Sequence, residues 1–112
     1  MFVMTRTVVV EKGNSDKVVS RFSADSPMHE MDGLVDVSVM VNRKSKEQEE
    51  VVIVIRWESV EVWKNWEKSD AHLEGHRKAR ESGQQPPEYI ISTTVNLYDV
   101  AVVKPGRAYR QI

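Results

Sequence analysis

The stretch Glu49-Glu-Val-Val-Ile-Val-Ile-Arg-Trp57-Glu-Ser-Val-Glu-Val-Trp63-Lys-Asn-Trp66-Glu-Lys-Ser-Asp70-Ala-His72-Leu-Glu-Gly-His76 decides the fold. Its opening, Glu49 to Trp57, reads as a strand that is apolar on both faces. Val51, Ile53 and Ile55 fall on one face, Val52 and Val54 on the other. The remainder reads as two short consecutive helices. Ser59 is placed to cap the first, and Glu61 in the first turn complements the helix dipole. Val60, Val62, Trp63 and Trp66 follow at helical spacing. Ser69 or Asp70 then breaks and restarts the helix, which continues through Leu73 and His76 to about Glu81.

Working outward, residues 2–11 form a first strand around Val8, Val9 and Val10, ending at Glu11-Lys-Gly13. Asn14 or Ser15 can cap a helix reaching about Ala24, with Val18, Val19 and Phe22 on one side. Asp25-Ser-Pro27 stops it, and Met28 to Gly33 connect to a second strand, Leu34 to Val41. There Val35, Val37, Val39 and Val41 share one face, and Leu34, Asp36, Ser38 and Met40 the other. Asn42 to Glu50 is too charged to pack and predicts a hairpin loop. Ser82 to Pro87 predicts a loop able to act as a pocket lip. Tyr89 to Val103 predicts the last strand, and residues 104–112 a loose tail.

The predicted order is β-α-β-β-α-β with its second helix split. That is the α+β, ferredoxin-like arrangement: a four-stranded antiparallel sheet with helices on one face, as a single domain over 1–112 with its core in 1–103. A sheet whose central strands are apolar on both faces needs a second cover. A second copy of the chain is the simplest cover, so the sequence predicts a homodimer whose sheets pack face to face or close into a joint barrel.

Composition narrows the function. At 112 residues with a net charge of -1 and scattered basic residues, the chain offers no phosphate-tracking surface, and nucleic acid is not expected as a partner. The absence of cysteine removes disulfides, thiolate metal sites and a cysteine nucleophile. The longest apolar run, Val51 to Ile55, is too short to span a bilayer, and Met1 to Arg6 enters a strand pattern without a signal-peptide pattern. The expectation is a soluble cytoplasmic protein with no membrane partner.

No Gly-rich phosphate loop, nucleophile elbow or paired-carboxylate motif occurs. His72 and His76 share a helix face at i, i+4, but an ordinary zinc site needs a third ligand. His29 is distant, and no carboxylate is obviously placed. A single imidazole suffices for haem iron, because the porphyrin supplies the other four ligands. Trp66, ten residues before His76 on the adjoining helix, can face the same pocket, and the pair suits a flat aromatic cofactor with a metal at its centre. On spacing alone, His76 reads more readily as a surface or half-buried histidine without a role, and Trp66 as core. Arg6 shares its strand face with Phe2, Met4, Val8 and Val10, and either finds an anionic or acceptor partner or snorkels to the strand edge.

From Met1 to Tyr98 these residues resemble the IsdG-type haem monooxygenases of the antibiotic-biosynthesis-monooxygenase superfamily. The most specific features are Trp57-x-Ser59, Trp66-x-Lys-Ser-Asp70 and His76 six residues beyond; Lys12-Gly13 and Arg21-Phe22 also fit. The resemblance implies a dimeric α+β barrel. It implies His76 as the axial ligand of haem iron and Trp66 as the residue that presses the porphyrin out of plane, with Phe22 among the haem contacts. It also puts Arg6 where the family has an asparagine on the distal side. Arginine only donates, is always charged and is longer. Arg6 is thus expected to hydrogen-bond on the distal side or to pair with a haem propionate. The alternative is that it crowds the distal pocket and leaves weak or altered oxygenase activity. The implied reaction opens the porphyrin with O2 and frees iron, with haem as both cofactor and substrate and an external electron donor or reductase. The competing readings are a haem-binding or haem-sensing protein without turnover, and a cofactorless monooxygenase acting on a quinol-like aromatic. His76 speaks against the last.

Overall fold

The first strand, β1 (Phe2–Glu11), is the axis of the molecule, with a strand hydrogen-bonded on each side. The computed structural model describes residues 1–43, 46–83 and 85–109. Along the chain β1 is followed by α1 (Ser15–Ser23), a 3₁₀ turn (Pro27–Glu30), β2 (Leu34–Asn42), β3 (Gln48–Trp57), α2 (Val60–Lys68), α3 (Asp70–Ser82) and β4 (Ile90–Asp99). The sheet order is β2-β3-β1-β4, antiparallel at every pairing, which is the ferredoxin-like arrangement expected.

Register decides which residues meet the helices. Phe2 pairs with Trp57, Met4 with Ile55, Arg6 with Ile53 and Val8 with Val51. Side chains directly across an antiparallel pair lie on one face. At one end of that face Val8, Val10, Val51 and Ile53 pack with Val18 of α1 into a buried cluster. At the other end Phe2 and Trp57 are buried, and Trp63 of α2 lies with its ring 5.1 Å from that of Phe2. Glycine is required at one connection. Gly33 has φ +91°, and a Cβ there would come within 2.7 Å of Val62 Cγ1, while its carbonyl accepts from Glu58 N at 2.8 Å.

Several boundaries differ from expectation for physical reasons. Asn14 precedes α1 but makes no side-chain cap; its amide donates back to the Glu11 carbonyl. The cap comes from across the sheet, where Oε1 of buried Glu49 accepts from Gly13 N at 3.0 Å and Ser15 N at 3.2 Å. Burial opposes the charge on Glu49, but the Ser15 and Gly13 donors and nearby Lys12 outweigh it, so its pKa lies below the ordinary value of 4.5. The hairpin loop is shorter than predicted, since Asn42 still pairs with Glu50; Lys44 and Ser45 of that loop lie outside the described residues. β4 ends at Asp99 rather than Val103. Val100 N reaches the carbonyl of Met1, where β1 runs out of backbone to pair with. Beyond it residues 101–109 are exposed, and the predicted tail's last three residues, 110–112, lie outside the described residues. A register shift between Leu34 and Asp36 puts Leu34 opposite Trp57, on the helix side, and not with Asp36 as simple alternation predicted.

The outer face of the sheet carries Val3, Thr5, Thr7 and Val9 of β1 opposite Arg56, Val54, Val52 and Glu50 of β3. Arg56 grips both carboxylate oxygens of Asp36 of β2 through two of its nitrogens, with Nε to Oδ1 at 2.7 Å. Hydrogen bonding to that guanidinium, more than its charge, holds the Asp36 carboxyl below the usual carboxylate range. Among the described residues no helix is long and apolar enough to cross a membrane.

Candidate active site

The site is built at the corner between α2 and α3. Ser69, with φ -67° and ψ 149°, is extended and ends α2. Its N–H and hydroxyl both donate to the Trp66 carbonyl, at 3.0 and 2.7 Å, while Oγ accepts from His72 N at 3.2 Å. One serine therefore closes one helix, caps the next and ties Trp66 to His72. Ser59 caps α2 as expected, accepting from Val62 N at 3.3 Å.

Between this corner and the sheet lies a cavity of about 430 Å³, within the usual range for small-molecule sites. Met4, Ile53, Ile55, Trp57 and Trp63 make its apolar walls, with Phe22 of α1 at one side and Val95 of β4 at another. The indole N–H groups of Trp57 and Trp63 are buried without an acceptor among the described residues. Trp66, Glu67, His72 and His76 come from the helix corner, and Arg6 from the strand.

Arg6 is the polar exception on the sheet wall. Its guanidinium carbon lies 5.9 Å from the Phe22 ring centroid, with that of Arg21 5.6 Å from the same ring. Among the described residues it makes no hydrogen bond or ion pair. Burial, with Arg21 close by, lowers its pKa below the ordinary arginine value, and Glu67 partly offsets this. An arginine remains charged under such a shift. The cavity wall thus holds a half-buried cation suited to an anion.

The imidazoles form a chain. Glu67 Oε2 lies 2.7 Å from His72 Nε2, which lies 3.1 Å from His76 Nε2. His72 stacks edge-on against both neighbours, at 5.0 Å from Trp66 and 4.4 Å from His76. His72 is partly buried, its side chain 19% exposed. His76 stands at the cavity rim, open to solvent.

The sequence pattern of the antibiotic biosynthesis monooxygenases matches residues 1–78, which include every strand of the cavity but β4. The chain belongs to the antibiotic biosynthesis monooxygenase family. It is 47% identical over 106 residues to the heme-degrading monooxygenase HmoA of Bacillus subtilis, covering 95% of this chain and 96% of that one. It is 38% identical to a Bacillus cereus protein solved as a candidate antibiotic biosynthesis monooxygenase, with a TM-score of 0.80 over 94% of this chain and 97% of that one. The heme degrader MhuD of Mycobacterium tuberculosis, solved with two hemes in its active site, shares the fold at 19% identity and a TM-score of 0.61, over 94% of this chain and all of that one.

In this monooxygenase, the four residues singled out in the sequence, Arg6, Phe22, Trp66 and His76, all line the one cavity. Sequence reasoning missed Glu67 and His72 as a pair, and Trp57 and Trp63 as walls. Among the described residues of the predicted lip, none lines this cavity. Gln85, Pro86 and Pro87 instead line an adjoining groove that shares Arg6, and Gln84 lies outside the described residues.

Proposed function

We propose that this protein is a haem-degrading monooxygenase that opens the porphyrin and releases its iron. The observation that carries the reading is the meeting of His76, Trp66 and Arg6 on one apolar cavity. The 47% identity to a relative named for heme degradation supports it. The residues fit the group. An imidazole stands at the rim, indole and aliphatic walls suit a flat ring, and a cation without a partner among the described residues suits a carboxylate.

Bound haem would supply the activation of O2 and the ring carbon that is oxidised. His76 would hold the iron. Trp66, anchored through its carbonyl to Ser69, would pack against the ring. Arg6 would donate to an acceptor or propionate of the group, and Phe22 would pack beside it. Met4, Ile53, Ile55 and Trp57 would keep water from the part of the ring they pack against. Electrons must come from an external donor, because the sequence has no flavin or nicotinamide motif. A cytoplasmic setting, where such donors are available, fits that need.

The reading includes a homodimer. The outer sheet face holds Val3, Val9, Val52 and Val54 only partly buried, with Met40 and Tyr98 half-exposed beside them. Val102 in the segment after β4 is 72% exposed. These incompletely buried apolar side chains, interspersed with threonines and the Arg56–Asp36 pair, support a second copy as their cover.

The test is reductant-driven turnover. With ascorbate and air, the haem-loaded protein is expected to lose its Soret band while ferrous iron appears in a chelator assay. A Soret band that survives reductant and O2 would make the protein a haem binder without turnover.

A further inference from the structure

We propose that Arg6, Arg21 and Lys17 make a groove beside the cavity that binds organic carboxylates. The carboxylate is either a porphyrin propionate or that of a separate small molecule. The first source rests on the reading of the cavity as a haem site; the groove itself does not.

The groove has a volume of about 610 Å³ and meets the cavity at Arg6, which lines both. Lys17 and Arg21 of α1 line it from one side, and no carboxylate among the described residues does so. None of the three cations forms an ion pair among the described residues. Lys17 Nζ donates to the neutral Asn14 Oδ1 at 2.8 Å and lies 4.8 Å from the Tyr89 ring centroid. The guanidinium carbons of Arg6 and Arg21 lie 5.9 and 5.6 Å from the centroid of one ring, that of Phe22. Both arginines also border one crevice of about 40 Å³ with Phe22 and Tyr89.

A single solvated cation on a surface needs no explanation. Arg6 is different, because it is half-buried and shares its aromatic neighbour with a second guanidinium. Burial and then Arg21 depress its pKa, and Glu67 offsets only part of this. Attraction to the ring face offsets another part of the repulsion. An anion in the groove meets both guanidiniums and replaces repulsion with charge-assisted hydrogen bonds, for which the guanidinium fork matches a carboxylate. Tyr89, Ile90 and Pro87 line the same groove, so it suits a carboxylate carried on an apolar body better than inorganic phosphate. A haem propionate has that form. Arg6 takes one propionate in the reading above, and Arg21 with Lys17 provides for the other.

The experiment has two arms at one pH and ionic strength, comparing the wild type with the double variant Lys17→Gln/Arg21→Gln. In the first, benzoate is titrated into the haem-free protein while arginine Nε–H signals are followed by NMR, with sodium chloride as the control. Saturable shifts of Arg6 and Arg21 with benzoate and not with chloride are expected. In the second, haem and its dimethyl ester are titrated by absorbance. The double variant should bind haem about tenfold or more weakly, and the ester should bind both proteins alike. Loss of haem affinity alone identifies the propionate as the occupant, and the benzoate shifts alone identify a separate carboxylate. No benzoate shift together with unchanged haem affinity would overturn the proposal, as would no benzoate shift with an equal loss for haem and ester. A wild type that binds neither haem nor ester refutes the haem reading, and the benzoate arm then decides the groove by itself.

Discussion

Arg6 puts a fixed positive charge on a wall otherwise made of methionine, isoleucine and indole. With no carboxylate paired to it among the described residues and Glu67 offsetting only part of the penalty of its burial, an entering anion would compensate the charge further. A charge-assisted hydrogen bond contributes about 1.5–3 kcal/mol. Arg6→Ala is therefore expected to weaken haem binding by about tenfold or more, and a porphyrin lacking propionates should show little difference between the two proteins. Both are read by absorbance titration. Arg6 was legible in the sequence because a period of two put it among Phe2, Met4, Val8 and Val10. Trp66 and His76 were legible through their resemblance to a family motif. Glu67 and His72 were not, because a break in the helix brings them together. At five residues apart they would not face each other on a continuous helix, and only the extended backbone of Ser69 aligns them.

At the scale of elements, the joints carry the site more than the strands do. Ser69→Ala removes the hydroxyl that accepts from His72 N and donates to the Trp66 carbonyl. The expected loss is about 1 kcal/mol of stability, seen as a lower urea midpoint, together with weaker haem binding because Trp66 and His72 lose their common anchor. Glu49 acts at the other joint. Its pKa is depressed in the folded state, so the stability it contributes is present above the ordinary value of 4.5 and is lost as pH falls below it. Wild type should lose stability in acid across that window, and in Glu49→Gln that part of the slope should be absent when unfolding is followed against pH. The helix and strand spans were readable from periodicity. The Glu49 cap was not, since its carboxylate and the amides it accepts from are more than thirty residues apart. The end of β4 was equally hidden, being set by where β1 begins.

Across the whole molecule, the two faces of the sheet divide the work. The inner face packs α1 over one end and leaves the cavity beneath α2 and α3, while the outer face keeps Val3, Val9, Val52 and Val54 only partly covered within one chain. The doubled apolar pattern of β1 and β3 made that division visible in the sequence. A homodimer is expected, so sedimentation should give twice the chain mass of 12.9 kDa. Val54→Lys, placed on the outer face, should shift the protein towards monomer; a monomeric wild type would count against the dimer. The central claim, that the cavity is a haem site closed by His76, is tested most directly by titrating haem into the haem-free protein and following the Soret region, with His76→Ala alongside. A saturable Soret shift in the wild type that is lost in the variant is the predicted result. No saturable shift in the wild type, or the same shift in both proteins, would contradict it.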